Sequence, residues 1–373
     1  MVNSFDEFTR LKEVIVGDNR GFSGFHFDNT FDLFYWDNVK GFLKGKNFFF
    51  RDGIYDKPVI RIEKHVMEEL AEDVELFAAA LSDAGVKVLR PDNNCVSDAG
   101  IVTPYWKSNQ TPPLNVRDNA IVLGGTIVET APHVRSRIFE NDGLKYIFYS
   151  YFAEGASWVN MPRPTLALPA DSSYFELTEE EEKCLESDTS RGIGSMKTEM
   201  IFDGAQCIRL GKDVLVNVGN PSHELGYQWL KKCFGDTFNF IRLDKAADSH
   251  IDSMFIPLKP GLWLIRDRAD LSFLPEKYQK WDYIEAPAVE KDQFPSYEGM
   301  NISLTSTFID MNVLSLSEDT VIVNSLYPEL IRELERHHFT VIPVRHRHRR
   351  LFGGGFHCFT LDTVREGGMA EYD

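Results

Sequence analysis

The clearest candidate for chemistry in this sequence is a cysteine that follows a run of glycines near the C-terminus. Glycines at 353 to 355 come before Phe356, His357 and Cys358. Glycine lets a backbone turn tightly and pass close to a ligand, and cysteine is a strong nucleophile. Residues 359–361 (Phe-Thr-Leu) are typical of a strand, which predicts Cys358 where a loop enters a sheet. The alternative is a buried structural cysteine behind a glycine turn, so the assignment depends on other residues.

A histidine and three aspartates are the candidates to act with this thiol. His250 and Asp252 are two residues apart, and on an extended backbone such residues point to the same side. Asp203 lies between apolar residues ahead of a strand, and Asp118 precedes a predicted hairpin. A His-x-Asp triplet is common by chance, so none of these residues establishes a site by itself.

Charge indicates what such a set would act on. A free thiol has a pKa of about 8.5, is largely protonated at neutral pH and reacts only as the thiolate. Carboxylates around a thiol raise its pKa and oppose an anionic substrate. A guanidinium group solves both problems, because it matches carboxylates two hydrogen bonds at a time and its charge favours the thiolate. The combination therefore indicates chemistry on a guanidinium carbon.

The composition argues against several kinds of partner and site. The 373 residues carry a net charge of -17, which opposes nucleic-acid binding because phosphate contacts need a basic face. The basic run from His346 to Arg350 is interpreted as a solvated or carboxylate-binding edge. Five scattered cysteines do not form a disulfide framework. Neither a signal peptide nor an apolar run of about 18 residues is visible, so we expect a cytoplasmic protein that does not bind membranes.

The elements that must position the candidate residues follow one repeating order. Strand, strand, helix and strand succeed one another five times, with helices predicted at 66–84, 136–153, 225–234, up to 280, and at 328–338. Repeated units of this kind commonly stack round an axis. We therefore predict an α/β fold, a five-bladed α/β propeller, that forms one catalytic domain over residues 1–373. Two irregular segments, 21–51 and 170–197, are interpreted as a covering insertion and a surface excursion.

Several motifs together resemble one enzyme family. They are Gly354-Gly355-Phe356-His357-Cys358, Asp203-Gly204-Ala205 with the stretch 209–213, His250-Ile251-Asp252, Met311-Asn312-Val313-Leu314, and the stretch 129–132 with 135–137. In this combination and order, over residues 11–362, the chain resembles the amidinotransferases. That family includes glycine amidinotransferase and the inosamine-phosphate amidinotransferases of antibiotic pathways. The resemblance implies a five-bladed α/β propeller, in agreement with the five units.

The resemblance also implies a role for each residue of the site. Cys358 matches the nucleophile that takes the amidino group from arginine, and His250 matches the general acid and base. Asp203 matches the carboxylate that orients the histidine. Asp118 and Asp252 match the carboxylates that hold the guanidinium group.

Further substrate contacts are implied by the same resemblance. Thr305 and Ser306 fall where the family has hydroxyl residues near the substrate. The arginine for the α-carboxylate of the donor corresponds to Arg268, with Arg266 in reserve because the chain is one residue shorter here.

The acceptor is predicted from two small residues that precede His250. Ala247 and Ser249 stand where glycine-using members of the family have larger side chains. Small side chains would leave room that glycine could not fill. We therefore expect a larger acceptor, such as a lysine-like diamine or a biosynthetic amine of a specialised metabolite.

The predicted function is transfer of the amidino group of L-arginine to a primary amine, through a covalent amidino-cysteine and with release of ornithine. The main alternative is an arginine deiminase-like hydrolase, which passes the same intermediate to water and forms citrulline. A catalytically inactive binding protein on the same scaffold is a second alternative. We expect small-molecule substrates and no cofactor, and leave a homodimer open.

A metal site and a phosphate site are the other interpretations of these residues. His337, His338, His346 and His348 with Cys358 could suggest zinc, but the neighbouring arginines oppose a divalent ion and no ligand spacing fits. The glycines at 353 to 355 could form a phosphate loop, but no Lys-Ser or Lys-Thr pair follows them. We therefore expect neither a metal nor a phosphate site.

Overall fold

The structure of the chain is a computed structural model that describes residues 1–22, 24, 30, 62–97, 99–167, 199–247, 250–289, 294–295, 297 and 305–372. The predicted insertion at 21–51 lies largely outside these residues and the predicted excursion at 170–197 wholly so, and both assignments stay predictions. In the part of the chain that is described, no helix combines the length and apolar character needed to span a bilayer.

Strands and helices follow one another through the described residues. The strands are β1 (Leu11–Val16), β2 (Lys87–Leu89), β3 (Ile101–Val102), β4 (Lys107–Ser108), β5 (Ala120–Leu123), β6 (Thr126–Glu129), β7 (Ser157–Asn160), β8 (Cys207–Leu210), β9 (Asp213–Val218), β10 (Asn239–Asp244), β11 (Phe255–Lys259), β12 (Leu262–Ile265), β13 (Asp282–Glu285), β14 (Leu314–Ser317), β15 (Thr320–Asn324), β16 (Thr340–Val344) and β17 (Thr360–Arg365). The α-helices are α1 (Lys64–Asp83), α2 (Val116–Asn119), α3 (Lys145–Ala153), α4 (Pro221–Phe234), α5 (Glu276–Gln279), α6 (Pro328–Arg336) and α7 (Arg349–Phe352).

Most of the strands belong to three-stranded sheets of one topology. Within the described ranges, five such sheets form: β17-β1-β2, β5-β6-β7, β8-β9-β10, β11-β12-β13 and β14-β15-β16. In each sheet the central strand pairs antiparallel with one neighbour and parallel with the other. A helix lies between the two parallel strands, as α4 does between β9 and β10. The α/β class is confirmed, whereas the arrangement of the units round one axis stays a prediction.

The two ends of the chain together complete the first unit. β17 pairs antiparallel with β1, and Val16 lies opposite Thr360. The amide of Gly17 donates a hydrogen bond to the carbonyl of Phe359 at 2.8 Å. Cys358 therefore lies directly ahead of a strand, as the sequence predicts, and the N-terminal strand runs beside it.

The core consists of apolar clusters shared between neighbouring sheets. One residue pair from each of five clusters illustrates this: Ile15 with Val122, Ile121 with Val214, Leu215 with Phe255, Leu264 with Val321, and Ile322 with Val14. Successive residues of a strand point to opposite faces, which is why Val214 and Leu215 of β9 belong to different clusters. The cluster that contains Val14 and Ile322 joins the fifth unit to the first.

The longest helix of the described residues forms where the sequence predicts it. Val66, Leu70, Val74 and Phe77 recur at helical spacing and are buried against the first sheet and its neighbours. The chain turns after α1 at Gly85, whose φ of +81° is readily adopted by glycine alone.

The predicted helix at 136–153 is wrong over its first half. Two 3₁₀ segments, Arg135–Arg137 and Glu140–Leu144, come before α3. Arg137 and Glu140 are drawn inward, and Arg137 Nη2 lies 2.9 Å from Glu140 Oε2. Buried ion pairs of this kind override the local apolar spacing, because each charge needs its partner once it has left water.

Candidate active site

The loop that carries Cys358 is held by close backbone contacts. Gly353 ends α7 with φ +66°, in the left-handed region that favours glycine. A Cβ atom on Gly354 would lie 2.1 Å from Asn115 Oδ1, so a side chain does not fit there. The thiol-bearing residue that follows is 4% exposed. The glycine run thus lets the loop pack tightly around a buried cysteine.

Asn312 and Asp252 fix the position of the thiol. The amide of Cys358 donates a hydrogen bond to Asn312 Oδ1 at 2.9 Å. The Nδ2 atom of Asn312 donates to Asp252 Oδ2 at 3.0 Å. The Sγ atom of Cys358 lies 3.5 Å from the same Asp252 oxygen. One asparagine therefore ties the cysteine loop to the carboxylate beside the thiol.

His250 lies between two buried aspartates. Its Nε2 atom is 2.8 Å from Asp203 Oδ2, and its Nδ1 atom is 3.6 Å from Asp118 Oδ1. Asp203 is itself fixed, because it exchanges capping hydrogen bonds with Gln206 at the start of a 3₁₀ turn. The imidazole is thus aligned by carboxylates on both ring nitrogens.

The predicted extended backbone at His250 and Asp252 is wrong beyond the histidine. His250 has extended φ and ψ angles, but Ile251–Ser253 forms a 3₁₀ turn. The side chains of His250 and Asp252 nevertheless belong to one site. The negative charge of Asp252 helps to raise the pKa of His250. The negative charge of Asp118, which lies beside His250, helps to raise the pKa of Cys358.

The charges of the site favour an imidazolium and a protonated thiol. Burial opposes the charge on His250, but Asp118, Asp203 and Asp252 outweigh it and raise the pKa of His250 to about 9. Burial and the carboxylates of Asp252 and Asp118 raise the pKa of Cys358 well above its usual range. The thiol is therefore unreactive until a positive charge arrives beside it.

Two of the carboxylates stay ionised, although burial opposes their charge. Burial is outweighed at Asp203 by His133 and His250, which hold the pKa of Asp203 well below its usual range. At Asp252, burial is outweighed mainly by the hydrogen bond from His357, which lowers the pKa of that carboxyl. The site thus offers fixed negative charge around a thiol, which suits a planar organic cation.

Comparisons with known proteins decide the family. No family model matches the chain. Inosamine-phosphate amidinotransferase 1 of Streptomyces griseus is 34% identical over 302 residues, which cover 80% of this chain and 82% of that protein.

The chain belongs to the amidinotransferase family.

One further relative and one solved structure agree with this assignment. The L-arginine:L-lysine amidinotransferase of Pseudomonas savastanoi pv. phaseolicola is 32% identical over 306 residues, which cover 81% of this chain and 80% of that protein. The solved structure of an inosamine-phosphate amidinotransferase from Streptomyces griseus superposes with a TM-score of 0.80 at 30% identity, covering 100% of this chain and 99% of that one. The chain thus has the α/β fold of the amidinotransferases.

One group of residues in this amidinotransferase could also hold a metal ion. Ligand atoms of Asp118, Asp203 and His250 all lie within 4.8 Å of one another. However, Arg137 Nη1 already donates to Asp118 Oδ2 at 2.7 Å. A metal also requires neutral imidazole, whereas the aspartates favour the imidazolium form of His250. The group therefore fits an organic cation better than a divalent ion, and the absence of a metal stays a prediction.

The predicted hydroxyl residues of the amidinotransferase lie beside the cysteine loop. Thr305 pairs with Arg350, its amide donating to the Arg350 carbonyl at 2.9 Å and its carbonyl accepting from Nε at 2.8 Å. A Cβ on Gly353 would lie 3.3 Å from Thr305 Cγ2. Ser306 caps the 3₁₀ turn Thr307–Met311, where its Oγ accepts a hydrogen bond from the amide of Phe308 at 3.1 Å. Their contact with substrate stays a prediction.

The two arginines predicted for the α-carboxylate have other contacts. Arg268 is exposed, and its guanidinium carbon lies 6.0 Å from the centroid of the Tyr283 ring. Arg266 is paired with Asp270, Nε to Oδ2 at 3.2 Å. These contacts do not include a residue around Cys358, so the choice between the two arginines stays a prediction.

The two residues predicted to face the acceptor differ in what the structure says of them. Ala247 is 2% exposed and packs in the apolar cluster that contains Ile251 and Leu243. Its methyl group therefore contacts the core. Ser249 lies outside the described residues. The acceptor prediction for both residues stays a prediction.

Several residues that shape the site were not predicted from the sequence. His357 Nδ1 lies 2.7 Å from Asp252 Oδ2, Asn312 ties Asp252 to the loop, and His133 Nδ1 lies 3.2 Å from Asp203 Oδ1. His357 and Asn312 both stand inside the motifs that carry the family resemblance. That was the available signal, but it does not reveal their partners, which lie 105 and 60 residues away along the chain.

The basic run binds carboxylates within the protein. Arg347 donates to both oxygens of Asp73 in α1, and His348 Nε2 lies 2.8 Å from Glu69 Oε2. His346 Nε2 lies 2.9 Å from the carbonyl of Gly354. The run therefore holds the cysteine loop against α1, which accounts for two of the histidines considered for zinc.

Proposed function

We propose that this amidinotransferase moves the amidino group of L-arginine to a primary amine through a covalent intermediate on Cys358. The observation that carries the proposal is the meeting of a buried thiol, Asp252 at 3.5 Å from it, and a His250 held by Asp203 and Asp118. A nucleophile, a proton carrier and carboxylates for a cation are thereby brought together. The L-arginine:L-lysine amidinotransferase among the relatives supports arginine as the donor.

In the first half-reaction, the arriving guanidinium pairs with Asp252 and Asp118. Its positive charge offsets the two carboxylates that raise the pKa of Cys358, and the thiol loses its proton to solvent. The thiolate attacks the guanidinium carbon, and a carbon–sulfur bond forms. The bond from that carbon to Nε of arginine breaks. Imidazolium His250 gives its proton to this departing nitrogen, which leaves as the δ-amino group of ornithine.

In the second half-reaction, His250 is neutral and acts as a base. It removes a proton from the ammonium group of the acceptor, whose nitrogen then attacks the amidino carbon. The bond to Cys358 breaks and its electron pair returns to sulfur, and the proton that the acceptor nitrogen gives up as it becomes part of a guanidinium group returns the thiolate to the thiol. The products are a guanidino compound and the free enzyme with His250 protonated again. Exclusion of water during the exchange separates transfer from hydrolysis.

We further propose that the five units surround one axis as a five-bladed α/β propeller within one catalytic domain. The apolar clusters that link consecutive units, and the one that links the fifth unit to the first, support this arrangement. Their order gives each unit two neighbours. A role in specialised-metabolite biosynthesis and the formation of a homodimer stay predictions.

The decisive experiment incubates the protein with arginine and a panel of amines and identifies the products by mass. Lysine, ornithine, glycine and longer amines form the panel, because we expect an acceptor larger than glycine. Ornithine together with a new guanidino compound supports transfer, whereas citrulline would favour the hydrolase. Inclusion of a Cys358→Ala protein reports any turnover that does not use the thiol. A specificity constant highest for glycine would contradict the prediction about acceptor size.

A further inference from the structure

His357, the neighbour of Cys358, connects the active site to a buried group of charges. Its Nδ1 atom lies 2.7 Å from Asp252 Oδ2. Its Nε2 atom lies 3.3 Å from Glu7 Oε2, on the far side of the ring. His357 and both carboxylates are buried, each 2% exposed or less. One imidazole therefore spans the gap between the carboxylate beside the thiol and a carboxylate of the N-terminal segment.

The second carboxylate is anchored by arginines. Glu7 Oε1 accepts a hydrogen bond from Arg209 Nε at 2.8 Å, and Glu7 Oε2 accepts from Arg209 Nη2 at 2.7 Å. Arg117 Nη1 lies 3.2 Å from Glu7 Oε2. Asp362 balances both arginines, with contacts of 2.7 Å to Arg117 and 2.6 Å to Arg209. Glu7 is thus a fixed point to which a histidine can be held.

The geometry indicates which nitrogen of the His357 ring donates to Asp252. An ionised carboxylate only accepts hydrogen bonds, so a ring nitrogen that faces one must donate. Both nitrogens of His357 face carboxylate oxygens, of Asp252 and of Glu7. A bare nitrogen at the shorter contact, 2.7 Å between Nδ1 and Asp252 Oδ2, would set two acceptors against each other. Nδ1 is therefore the nitrogen that donates to Asp252.

We propose that His357 is a positioning residue for the transfer reaction, which holds the carboxylate of Asp252 toward the thiol and the guanidinium site through the hydrogen bond from its Nδ1 atom. It does not touch the reacting atoms in this assignment. The backbone supports the same role, because Arg117 Nε donates to the His357 carbonyl at 2.8 Å and fixes the residue from the other side. The inference rests on the proposed function, since Asp252 matters to the reaction only if it binds the guanidinium group.

Two isosteric substitutions separate the two contacts of the ring. In His357→Asn the side-chain amide nitrogen stands near the place of Nδ1 and can still donate to Asp252. In His357→Gln the amide nitrogen reaches toward the place of Nε2 and Glu7, and the contact with Asp252 is lost. His357→Ala removes both contacts, and His337→Asn, at an exposed histidine, is the matched control. The measurements are kcat and KM for arginine and the thermal midpoint of unfolding for each protein.

We expect KM for arginine to rise about tenfold or more in His357→Gln and His357→Ala, because a hydrogen bond to a charged group is worth at least that factor. His357→Asn should stay within about threefold of the wild type, because it keeps the donor that faces Asp252. Equal losses in the asparagine and glutamine variants, or losses that follow the thermal midpoint alone, would overturn the proposal. A wild type that transfers no amidino group from arginine would instead refute the proposed function.

A measurement on the wild-type protein tests the inference even where the variants do not fold. Nitrogen NMR of histidine-labelled protein reports whether each ring nitrogen carries a proton, and comparison with Asp252→Asn assigns the ring that contacts Asp252. A proton on the ring nitrogen that faces Asp252 is expected for His357. A bare nitrogen at that position would overturn the inference, whatever the enzyme does with arginine.

Discussion

Replacement of Asp252 by asparagine should raise the alkylation rate of Cys358 and lower kcat/KM for arginine. The substitution keeps the size of the side chain and removes one negative charge 3.5 Å from Sγ. Two unit charges at that distance interact by about 5 kcal/mol at an effective dielectric constant of about 20. The thiolate would no longer meet this repulsion. At the same time, a guanidinium group would lose one of the carboxylates proposed to bind it.

The thiol should therefore become easier to alkylate and worse at catalysis. About a third of that energy already corresponds to tenfold more thiolate, so we expect iodoacetamide to modify Asp252→Asn at least about tenfold faster than wild type at pH 7. Loss of a charged hydrogen bond to the substrate should lower kcat/KM for arginine by about tenfold to a hundredfold. Alkylation is followed by mass spectrometry at Cys358, and catalysis by release of ornithine.

The two assays together distinguish an electrostatic effect from a damaged fold. Asp282→Asn, at an exposed position of β13, is the control for the chemical change and should alter neither rate. A misfolded variant would also alkylate faster, so the comparison is restricted to proteins with a thermal midpoint near that of wild type. If Asp252→Asn left the alkylation rate unchanged, or kept full activity with arginine, the assignment of Asp252 as a carboxylate that acts on both thiol and substrate would be refuted.

Four further predictions concern Cys358, His250 and the glycine loop. Arginine without an acceptor should add the mass of one amidino group to the wild type and none to Cys358→Ala; an adduct on another residue would contradict the mechanism. His250→Ala should keep less than about a tenth of the transfer rate, because general acid–base catalysis usually contributes about a hundredfold or more. The pKa of His250 rises from 6.5 to about 9 on folding: burial lowers it, but the charges of Asp118 and Asp203 raise it by more. Its charge therefore stabilises the fold fully below pH 6.5, and this stabilisation is lost as the pH rises through about 9. The difference in unfolding free energy between wild type and His250→Asn should shrink over that range. A constant difference would refute the linkage. Gly354→Ala should destabilise the protein by about 1 to 3 kcal/mol in chemical denaturation, because its Cβ would meet Asn115, whereas Gly368→Ala, with open space around it, should be neutral.

The sequence alone predicted the α/β class, the order of strands and helices within the units, and five residues that the structure brings together: Cys358, His250, Asp203, Asp118 and Asp252. These features depend on local signals. Apolar spacing identifies a helix such as α1, and a glycine run before a strand identifies a loop able to present Cys358. The same local signals were misleading at 136–153, where apolar residues continue the helical spacing but Arg137 and Glu140 turn inward as an ion pair.

Only the tertiary structure decided which groups meet. Glu7 and His357 are 350 residues apart along the chain, yet they face each other because the first unit is completed by strands from both ends. Folding also drew Ala247 into the core and left Arg268 exposed, although their sequence neighbours give no sign of either. The physical reason is that residue type and spacing report the local backbone and its burial, whereas the partner of a buried charge is selected by the packing of distant elements.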